Sequence, residues 1–363
     1  MKDFYDVGII GATGMVGQRF MLLLADHPWF KVKVLAASAR SAGKRYEEAV
    51  GPKWSMTSPI PDKLKDIVVK DAVADAEEIA STVDFVFCAV DMKKDEIKAL
   101  EERYARLECP VISNNSANRF TPDVPMIVPE INPEHAAVID FQKKRLGTKR
   151  GFIAVKSNCS LQSYVPALHP LRQFGLSKVL VCTYQAISGA GKTFKSWPEM
   201  IDNVIPFIGG EEEKSEKEPL KLFGKLDSEN GIIVPADSPA FTAQCIRVPV
   251  SDGHMGAVFA SFDKKLPPLN EIIDIWNNYE GEAQRRNLPS APKQFLKYFD
   301  EDNRPQTGLD RMRENGMGVS IGRLREDTQY DIKFVCLSHN TIRGAAGGGV
   351  LMAELLASMG YLD

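Results

Sequence analysis

The sequence predicts an α/β protein of two domains, the first built on a doubly wound, mostly parallel sheet. Three observations carry this. The length of 363 residues suits two domains with ample core. Short apolar runs at residues 5–10, 33–37, 83–90 and 110–113 read as strands separated by helical patterns, the β–α alternation of a parallel sheet. Beyond residue 159 the pattern changes to long strand runs joined by turns, as in an α+β unit.

Composition narrows the function classes. Hydrophobic content of 44% and charged content of 26% describe an ordinary soluble globular chain. A formal net charge of −3 gives no electrostatic reason to expect nucleic acid or an acidic membrane as partner. Residues 1–6 run straight into a strand, so neither a signal peptide nor a membrane span is expected. The six cysteines (Cys88, Cys109, Cys159, Cys182, Cys245 and Cys336) are scattered without a CxxC pair. That argues against a zinc site and a disulfide framework and fits a reducing cytoplasm, so no metal is expected.

The first strand ends in Gly11-Ala12-Thr13-Gly14-Met15-Val16-Gly17, and Val16, Phe20, Leu23 and Leu24 then follow a helical period. This GxxGxxG spacing is a variant of the dinucleotide fingerprint. Its glycines let the backbone approach a pyrophosphate, and the helix N-terminus faces the negative charge. The second strand leads into Ala37-Ser38-Ala39-Arg40-Ser41-Ala42-Gly43-Lys44. An NAD site usually has Asp or Glu there, holding the ribose diol. A hydroxyl, a guanidinium and a further lysine suit a 2′-phosphate better, which points to NADP; the plainer alternative is a solvated basic loop.

Residues 83–90 form a buried-strand run that places Cys88 in the core; a Lys/Glu-rich helix over 93–107 and a strand at 110–113 come next. The polar, proline-bearing stretch 114–125 then lies where parallel sheets bind ligands. Arg119 in it either holds an anion or pairs on the surface, and unaided the surface pairing is the stronger reading. A helix begins near Pro133, and residues 143–150 make a basic link towards the second domain.

Residues 152–155 read as a strand leading into Lys156-Ser157-Asn158-Cys159-Ser160-Leu161-Gln162. Ser157 and Asn158 are capping residues, and the residues after them are helix-compatible as far as Pro166. Cys159 then sits in or beside a first helical turn, where the helix dipole favours the nucleophilic thiolate. The alternative is a small buried hydrophobe.

Residues 178–186 are a long strand run ending at Gln185, which either orients a carbonyl or caps the turn. The Gly/Ser loop Ile187-Ser188-Gly189-Ala190-Gly191-Lys192 lacks Walker spacing. The charge run 211–218 reads as a solvated helix whose preceding glycines can bring its start close to a ligand. Arg247 and His254 flank a Pro/Gly turn between two strand runs. His254 either moves a proton near neutral pH or is a hydrogen-bonded turn residue. Residues 272–282 are helical, 305–318 irregular, and 319–324 and 330–337 a strand pair. The small-residue stretch from Asn340 to Gly349 opens a final helix over 350–359, allowing close approach to a cofactor or to another helix.

Taken together, these residues resemble the aspartate-semialdehyde dehydrogenase family over essentially the full length. The resemblance rests on six ordered motifs. They are Gly11–Gly17, the Ala37–Gly43 loop, Ser157-Asn158-Cys159-Ser160, Gln185–Gly191, Glu211-Glu212-Glu213-Lys214, and Arg247–His254. The Gly-Gly-Glu-Glu-Glu-Lys run and the Arg304-Pro305-Gln306 stretch look most like the archaeal and fungal branch. Leu161 after the cysteine motif, and Lys192-Thr193-Phe194 after the glycine loop, depart from the usual forms.

The resemblance implies a Rossmann-type NADP-binding domain over 1–157, completed by 343–363. It implies a catalytic and dimerisation domain over 158–342, like the C-terminal domain of glyceraldehyde-3-phosphate dehydrogenase. It further implies NADPH-dependent reductive dephosphorylation of 4-phospho-L-aspartate to L-aspartate 4-semialdehyde, in lysine, threonine and methionine biosynthesis. Cys159 is then the nucleophile, His254 the general acid/base and Gln185 the substrate-orienting residue, with Asn158 stabilising the oxyanion. Arg247 meets the substrate carboxylate, Arg119 and Lys214 the phosphate, and Glu211 the amino group. The cofactor falls to Gly11, Thr13, Gly14, Met15, Val16, Ser38, Arg40 and Ser41, joined by Ser188, Gly189 and Asn340. A cytoplasmic homodimer or homotetramer is expected. The competing readings are a related acyl-CoA reductase, such as malonyl-CoA reductase, and a non-catalytic NADP-binding sensor. An N-acetyl-glutamyl-phosphate reductase fits the cysteine context less well.

Overall fold

The computed structural model describes residues 2–363. Six parallel strands form the first sheet: β1 (Tyr5–Ile10), β2 (Phe30–Ala37), β3 (Lys70–Asp71), β4 (Phe85–Cys88), β5 (Val111–Ser113) and β6 (Ile153–Val155). Their spatial order is β3-β2-β1-β4-β5-β6, so the order reverses between β1 and β4. The crevice beyond the carboxyl ends at such a reversal is where doubly wound sheets bind ligands. β4, β5 and β6 are buried throughout, as strands covered on both faces must be.

The helix Met15–Leu24 comes after β1 and lays Phe20, Met21 and Leu24 on the sheet. The last helix, Gly347–Ser358, is buried from Gly347 to Ala357 and shares an apolar core with Phe20, Phe85 and Phe87. A helix this apolar on every side has to be enclosed. Gly11 makes the turn after β1 possible: its φ is +91°, and a Cβ there would lie 2.3 Å from the Ala89 carbonyl oxygen.

The second sheet is mixed. β7 (Leu176–Gln185) precedes a small hairpin of β8 (Lys225–Asp227) and β9 (Ile232–Val234). Then come β10 (Ala240–Arg247), β11 (His254–Phe262), β12 (Leu296–Phe299), β13 (Val319–Glu326) and β14 (Ile332–Ser338). The order is β10-β7-β11-β14-β13-β12. Val179, Val181, Thr183 and Gln185 alternate inwards along β7, under the helices Leu161–Leu168 and Leu269–Asn277. Register places Gln185 opposite Arg247, while β11 begins at His254 beside the same strand end. Three predicted site residues thus reach one end of this sheet through pairing alone.

Arg343, fully buried just before the last helix, donates to both Glu130 oxygens at 2.7 and 2.6 Å and to Gln162 at 3.0 Å. It joins the last helix to the segment after β5 and to the helix beyond the nucleophile turn.

Several local expectations need correction. The helix after Cys159 starts at Leu161 and continues through Pro166 to Leu168. The helix Glu211–Leu222 is not a solvated charge run. Glu211, Ser215, Glu218 and Lys221 are buried, and Lys221 donates to the carbonyls of Arg119, Thr121 and Val124 at 2.8 Å each. Residues 305–318 contain one short helical turn, Thr307–Asp310, followed by a turn with positive φ at Glu314 and Asn315. Strands β3, β8, β9 and β12 escaped the sequence reading. Among the described residues, no helix is long and apolar enough to cross a membrane.

Candidate active site

Two adjoining cavities occupy the carboxyl ends of the first sheet. One, of about 530 Å³, is lined by Gly11, Thr13, Gly14, Ser38 and Arg40, with β3 and the segment after β4 on its far wall. The Tyr46 hydroxyl supports its glycine turn by donating to the Ala12 carbonyl at 2.9 Å. Met15 heads the helix that starts there. Ser41 lies outside the wall, donating its N–H to the Ser38 carbonyl at 2.8 Å. Asp71 does reach this wall, but its Oδ1 already accepts the N–H groups of Val73 and Ala74 at 2.8 and 2.9 Å.

The second cavity, of about 460 Å³, gathers Cys159, Asn158, Gln185, Arg119, Glu211, Lys214, Arg247 and Gly189. Val16, two residues beyond Gly14 of the first cavity, lines it too.

Glu211 organises this cavity. Its carboxylate accepts the Asn158 amide at 3.0 Å, Lys214 Nζ at 2.7 Å and Gln185 Nε2 at 3.3 Å. Burial opposes its ionisation, but Lys214, Asn158 and Gln185 outweigh burial and hold it below the ordinary carboxylate range. Glu218, one turn behind Lys214, accepts the Asn158 backbone N–H at 2.6 Å and Arg119 Nη1 at 2.9 Å. The Asn158 side-chain oxygen accepts the Ser160 N–H at 2.8 Å, closing the nucleophile turn.

Arg119 is 6 % exposed, which corrects the surface-pairing expectation. It pairs with Glu218 and donates to the carbonyls of Lys156 and Asn114 at 2.9 and 3.2 Å. Cys159 is partly open to the cavity. Burial and then Glu211 push its thiol up, against the pull of Lys156, Arg119 and Arg247. Burial thus opposes the thiolate that the helix start favours.

His254 is wholly buried, beneath Gly189 rather than in the cavity wall. A Cβ on Gly189 would sit 3.0 Å from His254 Nε2 and 2.9 Å from Arg247 Nη1. His254 Nδ1 accepts the Ala186 N–H at 3.1 Å, so the neutral ring carries its proton on Nε2, which has no partner. Burial and then Arg247 push this imidazole down to about 3, so it is neutral near pH 7. Ser188 and Asn340 bond each other at 2.8 Å, and Asn340 Oδ1 accepts the Gly253 N–H at 2.8 Å. They tie the glycine loop to the His254 turn and do not line the nucleotide cavity.

Sequence reasoning missed Asn114, Ser116 and Glu218. The first two line the cavity, and both side-chain atoms of the Asn114 amide are buried without a partner. Their signal was position, directly after β5. For Glu218 it was helical spacing, seven residues after Glu211 on one face.

The chain matches the family described as "Semialdehyde dehydrogenase, NAD binding domain" over residues 6–139 and "Semialdehyde dehydrogenase, dimerisation domain" over 168–343. It belongs to the aspartate-semialdehyde dehydrogenase family. The relative of that name from Schizosaccharomyces pombe is 43% identical over 360 residues, covering 98% of this chain and 99% of its own length. The Archaeoglobus fulgidus relative is 42% identical over 352 residues, covering 97% of this chain and 98% of its own. The crystal structure of the Candida albicans enzyme with NADP superposes with a TM-score of 0.88 at 38% identity, covering 99% of each chain. The Vibrio cholerae aspartate semialdehyde dehydrogenase II structure shares the fold, with a TM-score of 0.74 at 24% identity over 98% of this chain and 99% of its own.

Proposed function

We propose that this chain is an NADP-dependent aspartate-semialdehyde dehydrogenase. It reduces 4-phospho-L-aspartate to L-aspartate 4-semialdehyde with release of phosphate, through a thioester on Cys159. The observation that carries this reading is one cavity lined by Cys159, Arg247, Arg119 and Lys214, with Val16 of the glycine-turn helix in its wall.

The residues present fit NADP. Gly11 leaves the space that a Cβ would fill, Thr13 and Gly14 sit at a helix start, and Ser38 and Arg40 offer a hydroxyl and a guanidinium to a 2′-phosphate. When bound, the dinucleotide supplies the hydride.

The chain supplies the rest. Cys159 Sγ, as thiolate, attacks the acyl-phosphate carbonyl carbon. The carbon–oxygen bond to phosphate breaks, and phosphate leaves with its electron pair to the Arg119 and Lys214 side. Asn158, whose amide already donates to Glu211, suits the oxyanion through its second N–H. Arg247 suits the substrate carboxylate, because a guanidinium binds it bidentately; Glu211 suits the ammonium, and Gln185 the carbonyl. After reduction the carbon–sulfur bond of the hemithioacetal breaks and the aldehyde leaves. His254, neutral with its proton on Nε2, hydrogen-bonds the hemithioacetal alkoxide as a donor once Gly189 gives way; that alkoxide re-forms the carbonyl as the carbon–sulfur bond breaks and the Cys159 thiolate is returned.

This reading assigns 1–157 with 343–363 to the nucleotide domain and 158–342 to the catalytic one. It also makes the chain a homodimer or homotetramer. The outer face of the second sheet supports assembly: Leu180, Cys182 and Tyr184 lie opposite Phe259, Ala257 and Met255, none of them buried. Six free cysteines suit a cytoplasmic setting.

The test is NADP reduction by L-aspartate semialdehyde at alkaline pH, with phosphate or with CoA in its place. Reduction that requires phosphate supports the assignment. Reduction with CoA alone moves the substrate to the acyl-CoA reductases.

A further inference from the structure

Lys156 has no part in the chemistry above, yet it is 2 % exposed and lies three residues before Cys159. Its ammonium donates to the Ser157 carbonyl at 2.7 Å and, among the described residues, makes no ion pair. Three N–H donors with one acceptor in a dry site form a poor resting place for a permanent charge.

Placement gives the lysine its meaning. Gly344 and Gly348 lie four residues apart on one strip of the segment that becomes the last helix. A Cβ on Gly344 would lie 2.9 Å from Cys159 Cβ, and one on Gly348 would lie 2.9 Å from Lys156 Cε. The nucleophile and the lysine stem therefore rest on adjacent steps of one strip, about 6 Å of helical rise apart.

We propose that Lys156 is a positioning residue for the reaction, set beneath the nucleophile turn so that its ammonium stabilises the Cys159 thiolate. The inference rests on Cys159 being the nucleophile.

The charged groups around Lys156 come from four elements. Arg119, in the loop after β5, and Arg343, before the last helix, disfavour its charge. Glu218, on the Glu211–Leu222 helix, and the thiolate of Cys159 favour it. Burial is the largest influence and brings the ammonium down to about 7, so it titrates in the range where the enzyme works. Each charge then favours the other.

The test is the pH dependence of Cys159 alkylation by iodoacetamide in the full-length protein, read by peptide mass spectrometry. Lys156→Met is expected to raise the inflection by about one pH unit, a tenfold loss of thiolate at neutral pH. Its kcat should fall about tenfold near pH 7 and recover as pH passes the new inflection, with KM unchanged. Lys156→Arg should keep the wild-type inflection. An unchanged inflection in Lys156→Met overturns the proposal.

Should Lys156→Met not fold, the reciprocal titration decides. The Lys156 13Cε resonance, identified by its loss in Lys156→Arg, should titrate at lower pH in Cys159→Ser than in wild type. Identical titrations overturn the proposal. The two readings fail separately: an active Cys159→Ala removes the nucleophile, whereas an inactive Cys159→Ala with an unmoved Lys156→Met inflection removes Lys156 alone.

Discussion

Glu218 accepts the backbone N–H of Asn158 at 2.6 Å while its other oxygen holds Arg119 at 2.9 Å. One buried carboxylate thus fixes both the nucleophile turn and the guanidinium assigned to phosphate. Glu218→Ala leaves Arg119 buried without its counter-charge, a loss of about 3–5 kcal/mol for a broken buried pair. Urea unfolding of the variant should show that loss in the midpoint. An unchanged midpoint would mean that Arg119 finds another anion.

Cys159→Ala should abolish turnover and leave NADPH binding intact, since Cys159 and the glycine turn line different cavities. Fluorescence titration of NADPH beside a steady-state assay separates the two. Full turnover in this variant would remove the thioester.

Gly189→Ala is expected to cut kcat by about tenfold or more, the usual scale of general acid contributions being about 10²–10⁴. The added methyl meets Arg247 Nη1 at 2.9 Å and the His254 ring at 3.0 Å, both tighter than ordinary contact. Steady-state kinetics across pH checks this, and wild-type rates would show that the loop adjusts freely.

Arg40→Glu should weaken NADPH more than NADH, because it places a negative charge in the wall where the 2′-phosphate is assigned. Competitive binding of the two nucleotides is the measurement. An unchanged preference would put the phosphate elsewhere.

Stability should fall as pH drops below about 6.5, the ordinary histidine value. His254 is pushed down to about 3, and His169 and His339 to about 4, chiefly by burial. Between those values and the ordinary one, the unfolded chain binds protons that the folded chain refuses. The folded state is therefore favoured above that range and loses up to about 1.4 kcal/mol per histidine for each pH unit down through it. Thermal melts from pH 7 to pH 5 should show a falling Tm. A flat profile would place these rings in contact with water.

Much of the site was legible in the chain because its signals are local. A strand running into Gly11–Gly17 and then a helix names a nucleotide turn from neighbouring residues alone, and the structure builds a cavity there. Ser157-Asn158-Cys159-Ser160, Gln185, Arg247 and His254 were recognisable at strand ends, and β-pairing delivers the last three to one end of the second sheet.

What the chain did not disclose is which charges lose their water. Glu218, Lys221 and Lys156 have the residue types of a surface, and a period-based reading leaves them there. Their burial arises because the loop after β5, the Glu211–Leu222 helix and the last helix close around the Lys156–Cys159 turn from distant parts of the sequence. Local pattern sets the secondary structure and the chemistry on offer. The protonation state of each group depends on desolvation and on partners far along the chain, and those exist only once the chain has folded.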